Sequence, residues 1–256
     1  MGRFATTALF YEELRPPYPP QFFSEVARQL KLSQQHALID LGTGPGLLAL
    51  GFAPYVGRVA GVDPEPEMLA AAREAAARAG ASLALIEGKA ETLAEEIGAF
   101  DIVTIGRALH WMEREPTLAR LERLVARDGV IAVCASVSAP DGRNAWLDDY
   151  NAARRAWSPA KLWAESGSGD RTHRDLAAFF SGSGFRLADQ IRVETSQEVS
   201  VHDLARRVLT FSSSSPEALG DNVEAMLADV RARLVPFSRN GVVTEAVVSV
   251  AQIVRR

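Results

Sequence analysis

The sequence has little cysteine and histidine, and its basic residues are scattered. Of its 256 residues one is cysteine and four are histidine, and the formal net charge is −4. Cys134 has no partner for an internal disulfide, which favours a reducing compartment. Because duplex binding depends on clustered cations that neutralise phosphates, the chain is not expected to bind nucleic acid. The histidines show no metal-ligand spacing, so no metal is predicted.

The sequence also lacks a long apolar stretch. No segment approaches the roughly 20 apolar residues of a membrane span. The first 20 residues carry charges and four prolines where a signal peptide would be apolar. The hydrophobic fraction of 47% nevertheless supplies a full core. We therefore expect a cytoplasmic protein, monomeric or homodimeric, that has no membrane partner and binds small molecules.

Short apolar runs alternate with helical segments between residues 37 and 137. The runs are nearly continuously apolar, as in parallel strands covered on both faces: A-L-I-D-L, R-V-A-G-V-D, L-A-L-I-E, F-D-I-V-T-I and G-V-I-A-V-C-A-S-V. Residues 66–79 and 116–126 are among the helical segments between them. This alternation predicts right-handed βαβ crossovers and a doubly wound α/β sheet.

A glycine-rich loop, L-I-D-L-G-T-G-P-G at residues 38–46, follows the first run. Glycines permit positive φ and let the backbone approach a ligand closely. Asp63 ends the second run, where an acidic side chain accepts hydrogen bonds from ribose hydroxyls. A dinucleotide loop reads G-x-G-x-x-G, whereas this one reads G-x-G-x-G. A carboxylate at Asp40 suits a ligand with an ammonium group better than a pyrophosphate, which favours S-adenosylmethionine over a nicotinamide dinucleotide.

Several stretches resemble a known family. D-L-G-T-G-P-G and V-D-P-E-P-E-M-L are similar to motifs I and II of class I S-adenosylmethionine-dependent methyltransferases. E-G-K-A-E-T-L resembles the next motif, and F-D-I-V-T-I-G-R-A-L-H-W-M resembles motif IV. The opening F-Y-E-E-L-R-P-P-Y-P looks like the type 11 subgroup of small-molecule enzymes, which includes trans-aconitate and juvenile-hormone-acid methyltransferase-like proteins.

The resemblance covers most of the chain and implies its organisation. It implies a Rossmann-like sheet of seven mostly parallel strands with an antiparallel last strand. Residues 1–35 would form an N-terminal helical lid and residues 36–140 the cofactor-binding core. Residues 141–183, which hold three of the four tryptophans, would form a helical cap insertion. Residues 184–256 would supply the strands and helices that complete the sheet.

The resemblance also implies a cofactor site built from several loops. The glycine loop would surround the methionine half, Asp63 would take the ribose hydroxyls, and Ala90 would offer its backbone N–H to the adenine. Lys89 stands where the family has Asp or Ser. Glu91 is therefore either a substitute contact to the adenine or an ordinary acid in the first turn of a helix. The implied set is Tyr11, Arg15, Asp40, Gly42, Thr43, Gly44, Gly46, Asp63, Pro64, Met68, Ala90, Glu91 and Gly106.

Other members of that set have narrower implied roles. Gly106 would turn its carbonyl towards the cofactor's ammonium, and Pro64 and Met68 would pack near the adenine. Tyr11 would cover the cofactor from the lid. Arg15 would pair with the cofactor's carboxylate or lie solvated on the lid, the first because a planar guanidinium binds a carboxylate with two hydrogen bonds.

Residues beyond the fourth run are candidates for the acceptor side, because open α/β sheets bind ligands at the carboxyl ends of their strands. His110 is the candidate catalytic residue, either as a general base or as a pocket residue without proton transfer. The candidate substrate-binding residues are aromatic or cationic: Tyr18, Arg107, Trp111, Trp146 and Trp157. Arg107 would either pair with an anionic substrate or point outward into solvent.

These residues predict a methyltransferase that acts on a small organic molecule at oxygen or nitrogen and leaves S-adenosylhomocysteine. A carboxylate, phenol or alcohol acceptor is favoured. Because the sulfonium departs as a neutral leaving group, alignment of the reacting atoms carries most of the catalysis. Two alternatives stay open: a protein that binds the cofactor without catalysis, and an enzyme that uses the sulfonium for another reaction such as cyclisation.

Overall fold

Seven strands form one sheet in the computed structural model, which describes residues 14–166 and 176–256. The strands are β1 (Ala37–Leu41), β2 (Arg58–Asp63), β3 (Ala84–Glu87), β4 (Phe100–Gly106), β5 (Val125–Ser138), β6 (Arg186–Ser200) and β7 (Val242–Arg255). Their order is β3-β2-β1-β4-β5-β7-β6. The pairs among β1 to β5 are parallel, and β7 is antiparallel to β5 and β6. The predicted mostly parallel sheet with an antiparallel last strand is confirmed.

Helices connect the strands. They are α1 (Pro20–Leu30), α2 (Leu47–Phe52), α3 (Pro66–Ala79), α4 (Arg114–Leu124), α5 (Leu147–Trp157), α6 (Ala160–Ser166), α7 (Leu176–Phe180), α8 (Val201–Arg206), α9 (Pro216–Leu219) and α10 (Val223–Leu234). The bounds of α3 follow from its sequence, because Pro66 suits the first helical position and Gly80 takes the left-handed conformation that ends the helix.

Both bounds of α4 differ from their prediction. The helix predicted over residues 116–126 spans Arg114–Leu124, and Val125 already belongs to β5. Val125 pairs with Phe100 at the start of β4. Pairing between strands distant in sequence therefore ends the helix earlier than its local composition indicates.

The apolar core lies on both faces of the sheet. Leu38 of β1 packs with α1 and α2, whereas the next residue, Ile39, packs with α4 and α7. Successive strand residues point to opposite faces, so near-continuous apolar runs serve both layers. A further apolar cluster joins α5, α8 and α10. This layer, with the turn Arg207–Thr210 and the buried residues packed against it, is called the cap below; it includes residues outside the cap insertion predicted over residues 141–183. Within the described ranges, no helix combines the length and apolar character needed to cross a membrane.

Candidate functional site

The loop after β1 lies against the loop after β4. Gly42, Gly44 and Gly46 have φ values of +68°, +54° and +88°, a region that side-chain-bearing residues rarely adopt. The N–H groups of Gly42 and Thr43 both donate to the carbonyl of Val62, at 2.9 Å. A Cβ atom on Gly42 would lie 2.4 Å from the Cβ of Ala108. The loop therefore has no room for a side chain at this position.

Asp63 joins the end of β2 to this loop. Its Oδ2 accepts the N–H of Gly44 at 2.8 Å, and its Oδ1 accepts the N–H of Glu65 at 3.0 Å. Burial raises the pKa of Asp63 above its ordinary value, although these N–H groups act in the opposite direction. Each carboxylate oxygen has two lone pairs. Asp63 can thus order the loop and still accept hydrogen bonds from a ligand.

Asp40 lies beneath the loop and is fully buried. Its Oδ2 accepts the hydroxyl of Thr43 and its Oδ1 accepts the hydroxyl of Thr104, both at 2.7 Å. Burial raises the pKa of Asp40 to about 6 against the lowering effect of these hydroxyls. In the described part of the chain neither Asp40 nor Asp63 forms an ion pair. Two buried carboxylates without a counter-charge favour a cation beside them.

The end of β4 brings Gly106 close to Tyr18. A Cβ on Gly106 would lie 2.6 Å from Leu48 and 3.4 Å from the Tyr18 hydroxyl. His110 and Trp111 follow in a short 3-10 turn, with ring centroids 4.7 Å apart. Both side chains are exposed, Trp111 by 46%. The structure thus places the candidate base at the open rim of the site.

Arg107 fastens the N-terminal segment to the sheet. Its Nη2 donates to the carbonyls of Pro16 and Ser136, both at 2.7 Å. The guanidinium also lies 5.1 Å from the ring centroid of Tyr18. The side chain is half-buried and points under the segment. The Nη2 atom of Arg107 therefore already has two backbone acceptors. Neither of the two predicted roles, an ion pair with the substrate or a solvated side chain, includes these contacts.

Arg15 lies farther along the same segment. Its Nη2 donates to the carbonyl of Thr210 at 2.8 Å, and its guanidinium lies 3.9 Å from the ring centroid of Phe211. Tyr11, its predicted companion in the lid, lies outside the described residues.

The residues predicted near the adenine lie around the ends of β2 and β3. Met68 is buried, and its Sδ lies 4.0 Å from the position of a Cβ on Gly44. Pro64 is exposed and Ala90 is buried in a 3-10 turn. Glu91 accepts the N–H of Glu113 at 2.9 Å, so its carboxylate serves the start of α4.

The two tryptophans predicted for the acceptor side lie in different surroundings. Trp146 is buried immediately before α5 and meets Tyr150 edge to face, with ring centroids 5.7 Å apart. Trp157 is half-buried, and its Nε1 donates to Asp229 of α10 at 2.9 Å. Trp146 thus belongs to the apolar cluster of α5, α8 and α10, whereas Trp157 links α5 to α10.

A buried group of charged residues in the cap was missed by sequence reasoning. Arg207 donates through Nη1 and Nη2 to both oxygens of Glu245, at 2.6 and 2.9 Å. Arg154 and Tyr150 are buried nearby on α5. Their spacing of four residues, shared with Trp146, puts them on one helix face. That spacing was the one available signal, because the other contacts join distant segments.

No group of three or more His, Cys, Asp or Glu residues that could hold a metal ion occurs within residues 14–166 and 176–256. The site thus consists of the glycine loop with the carboxylates of Asp40 and Asp63, and the cap holds the buried guanidinium of Arg154.

Comparisons with known proteins add to this geometry. A family model described as a methyltransferase domain matches residues 39–133. The chain is 35% identical over 101 residues to the uncharacterized methyltransferase C70.08c of Schizosaccharomyces pombe, which covers 39% of this chain and 37% of that protein. It is 25% identical over 216 residues to the uncharacterized methyltransferase C25B8.09 of the same organism, which covers 83% of this chain and 80% of that protein.

Among solved structures, the [4+2]-cyclase SpnF is similar with a TM-score of 0.56 and 17% identity. The similarity covers 98% of this chain and 93% of that one. At this identity it shows a shared fold alone.

Proposed function

We propose that this chain is a class I S-adenosylmethionine-dependent methyltransferase and that it methylates a small organic acceptor at oxygen or nitrogen. A carboxylate, phenol or alcohol is the favoured acceptor, and S-adenosylhomocysteine is the second product. The observation that carries the cofactor part of this proposal is the contact between Asp63 and the Gly44 N–H. This hydrogen bond joins the acidic residue at the end of β2 to a loop whose three glycines have positive φ.

The residues around this loop fit S-adenosylmethionine. Two buried carboxylates, Asp40 and Asp63, have no cationic partner among the described residues, and the cofactor carries both a sulfonium and an ammonium. A Cβ on Gly42 would clash with the side chain of Ala108, so this glycine lets the loop pack closely against the turn after β4. When bound, the cofactor supplies an electrophilic methyl group.

The chain's own residues would hold and orient the reactants. The loop Gly42–Thr43–Gly44 and Gly46 would bind the amino-acid end, with the carbonyl of Gly106 facing its ammonium. Asp63 would accept the ribose hydroxyls. Pro64, Met68 and Ala90 would surround the adenine, while Tyr11 and Arg15 would close the site from the N-terminal segment.

On the acceptor side, Tyr18 and Arg107 would form the wall next to Gly106. Trp111 and His110 would form the rim. His110 would act as a base only for an acceptor that must lose its proton, such as a phenol or alcohol, where general-base catalysis contributes roughly 10²–10⁴-fold. For a carboxylate acceptor it would serve only to position the substrate.

A second candidate function uses the same cofactor site without methyl transfer. The fold is shared with a [4+2]-cyclase, so the sheet by itself does not distinguish a methyltransferase from a cyclase or from a protein that only binds the cofactor. Incubation with S-adenosylmethionine and a pool of small acids, phenols and amines, followed by mass spectrometry, separates them. A product heavier by one methylene unit supports transfer, and its absence under saturating cofactor supports the second candidate function.

Cofactor binding is tested by calorimetric titration with S-adenosylhomocysteine. Asp63→Ala is expected to weaken binding by about 1–3 kcal/mol, because it removes hydrogen bonds to a charged acceptor. Asp128→Ala, which changes an exposed aspartate on β5, is the matched control and should bind like the wild type. Failure of the wild type to bind, or equal affinity in all three proteins, would contradict the proposed site.

A further inference from the structure

Three hydrogen-bond donors lie buried in the cap without an acceptor. The Nε1 of Trp146, the hydroxyl of Tyr150 and the Nε of Arg154 have no hydrogen-bond partner in the part of the chain that the structure describes. The three residues are only 3%, 3% and 5% exposed. Buried polar groups in native proteins are almost always hydrogen-bonded. Three such atoms in one place therefore indicate a missing partner.

These donors share one helix face. Trp146 immediately precedes α5, and Tyr150 and Arg154 follow it at intervals of four residues, which is the spacing of neighbours along one side of a helix. The edge-to-face contact of Trp146 with Tyr150 agrees with this alignment. An indole N–H and a guanidinium can only donate, and a phenol can also donate. A ligand that fits this row must therefore accept hydrogen bonds.

No carboxylate of the described residues forms an ion pair with Arg154. Its Nη1 donates to Asn151 at 3.2 Å, and its guanidinium lies 3.4 Å from the ring centroid of Phe211 and 5.6 Å from that of Trp163. Aromatic faces hold a cation without neutralising it. The buried guanidinium thus lacks an anion.

The neighbouring carboxylate is already engaged. Glu245 accepts both guanidinium nitrogens of Arg207, and also the Ser138 hydroxyl and the Gln197 amide. Arg15, Arg154, Arg207 and Glu245 all lie close enough to Tyr150 to influence its hydroxyl electrostatically. Among the described residues, the carboxylate that acts on Tyr150 is that of Glu245, which is paired with Arg207.

The N-terminal segment connects this region to the cofactor side. Leu14 accepts a hydrogen bond from Arg207, Pro16 accepts one from Arg107, and the Tyr18 hydroxyl lies beside Gly106. Five residues thus reach from the cap to the end of β4. Arg154 lies beside this segment, because its guanidinium and that of Arg15 both contact the ring of Phe211.

From this arrangement we infer that the methyl acceptor carries a carboxylate and that Arg154 and Tyr150 bind it as specificity-determining residues. The inference rests on the proposed methyltransferase function and deepens it. A carboxylate offers two acceptor oxygens to the three donors and one negative charge to Arg154. A neutral acceptor would leave the buried charge uncompensated. Anchored there, the substrate would present its oxygen or nitrogen nucleophile to the methyl group in a fixed orientation, the arrangement that lowers a displacement barrier.

The test compares carboxylic acids with their primary amides on protein saturated with S-adenosylhomocysteine. The probes are three matched pairs: benzoate and benzamide, 3-phenylpropanoate and 3-phenylpropanamide, and hexanoate and hexanamide. Binding is measured by calorimetry, with melting temperature as a second readout. Wild-type protein is expected to bind at least one acid about tenfold more tightly than its amide, because hydrogen bonds between charged partners are the stronger ones.

Two variants and a control test whether Arg154 and Tyr150 cause the preference for the acid over its amide. Arg154→Met should abolish the preference for the acid, and Tyr150→Phe should reduce it several-fold. Arg155→Met changes an exposed arginine one position further along α5 and should keep it. All three variants should bind S-adenosylhomocysteine like the wild type. Arg154→Met should also melt no lower than the wild type, since an apolar side chain replaces a buried cation without an anion.

The two levels of inference fail separately. If the wild type does not bind S-adenosylhomocysteine, the proposed function fails. If it does bind but no acid is preferred over its amide, or if Arg154→Met keeps the preference, the carboxylate site is overturned. Should Arg154→Met fail to fold, the arginine is structural, and an unchanged preference in Tyr150→Phe would overturn the site without it.

Discussion

The loop edge of the sheet and the cap carry opposite charges that the described chain leaves uncompensated. Under the loop, Asp40 and Asp63 are buried without a cation; in the cap, Arg154 is buried without an anion. Burying a charge is costly unless it is paired. The two regions meet along the segment from Leu14 to Tyr18. The contrast suits a cationic methyl donor on one side and an anionic acceptor on the other.

The regions also differ in what builds them. The loop edge consists largely of backbone: three glycines with positive φ, and the N–H groups of Gly44 and Glu65 held by Asp63. The cap consists of side chains from α5, from the turn around Arg207 and from the N-terminal segment. A backbone site keeps its shape as long as its glycines remain, whereas a side-chain site is changed by single substitutions.

The largest expected effect concerns the buried ion pair between Arg207 and Glu245. Glu245→Gln leaves Arg207 buried without an anionic partner. Arg154 already lacks such a partner among the described residues. Breaking a buried pair by removing one partner destabilises a protein by about 3–5 kcal/mol. Burial raises the pKa of Glu245, but the hydrogen bonds and charge of Arg207 outweigh it and the pKa is lowered overall. Glu245 is therefore ionised, and the loss should appear in urea unfolding as a lower midpoint.

The control for this variant is an exposed ion pair. Asp141→Asn removes one of the two carboxylate partners of Arg143, the other being Glu194, and exposed pairs contribute little to stability. Its unfolding midpoint should equal that of the wild type. Equal midpoints for Glu245→Gln and Asp141→Asn would mean that the cap tolerates unpaired charge, and the contrast between the two regions would lose its physical basis.

A substitution in the loop tests the backbone side of the comparison. Gly42→Ala places a Cβ 2.4 Å from that of Ala108 at a φ of +68°. A strained conformation of this kind costs on the order of 1–3 kcal/mol, and relief of the clash must move the loop. Affinity for S-adenosylhomocysteine in calorimetry is expected to fall by at least about tenfold.

Gly142→Ala separates strain from contact. Gly142 has a similar φ of +87°, but a Cβ there would meet nothing within 4 Å. This variant should lose some thermal stability and keep its affinity for S-adenosylhomocysteine. If both variants bind equally well, the loop does not approach the cofactor.

The contrast also explains which features were readable from the sequence. The strands of the core appear as contiguous apolar runs, and the loop and Asp63 lie at strand ends. Such features depend on local backbone geometry and on the alternation of elements, which a sequence displays directly. The positions of the core strands along the chain were therefore predictable, and so was the position of the glycine loop.

Side-chain contacts between distant segments could not be predicted from the sequence in the same way. Arg107 reaches Pro16, 91 residues earlier in the chain, and Glu91 binds the backbone of Glu113. Neither contact follows from spacing, because packing decides which of several acceptors a long side chain meets. The row of donors on α5 could be seen as a helix face, but the lack of an anionic partner for Arg154 among the described residues is a property of the fold alone.

The smallest expected effect is a dependence of cofactor preference on pH. Burial raises the pKa of Asp40 from its ordinary value of 3.8 to about 6. A raised pKa means that the folded protein favours the protonated form. The contribution of Asp40 to stability is therefore full below pH 3.8 and is lost as the pH rises through about 6. A nearby cation acts in the opposite sense, because it favours the ionised carboxylate.

S-adenosylmethionine and S-adenosylhomocysteine differ in the sulfonium charge, so their affinity ratio reports this coupling. The ratio should shift by a few-fold in favour of S-adenosylmethionine between about pH 5 and pH 7, measured by calorimetry at each pH. Asp40→Asn should give a flat ratio. Thr104→Val removes a hydroxyl that lowers the pKa of Asp40, and should move the rise to higher pH. A pH-dependent ratio that persists in Asp40→Asn would assign the coupling to another group and leave Asp40 with a role in holding the loop through Thr43.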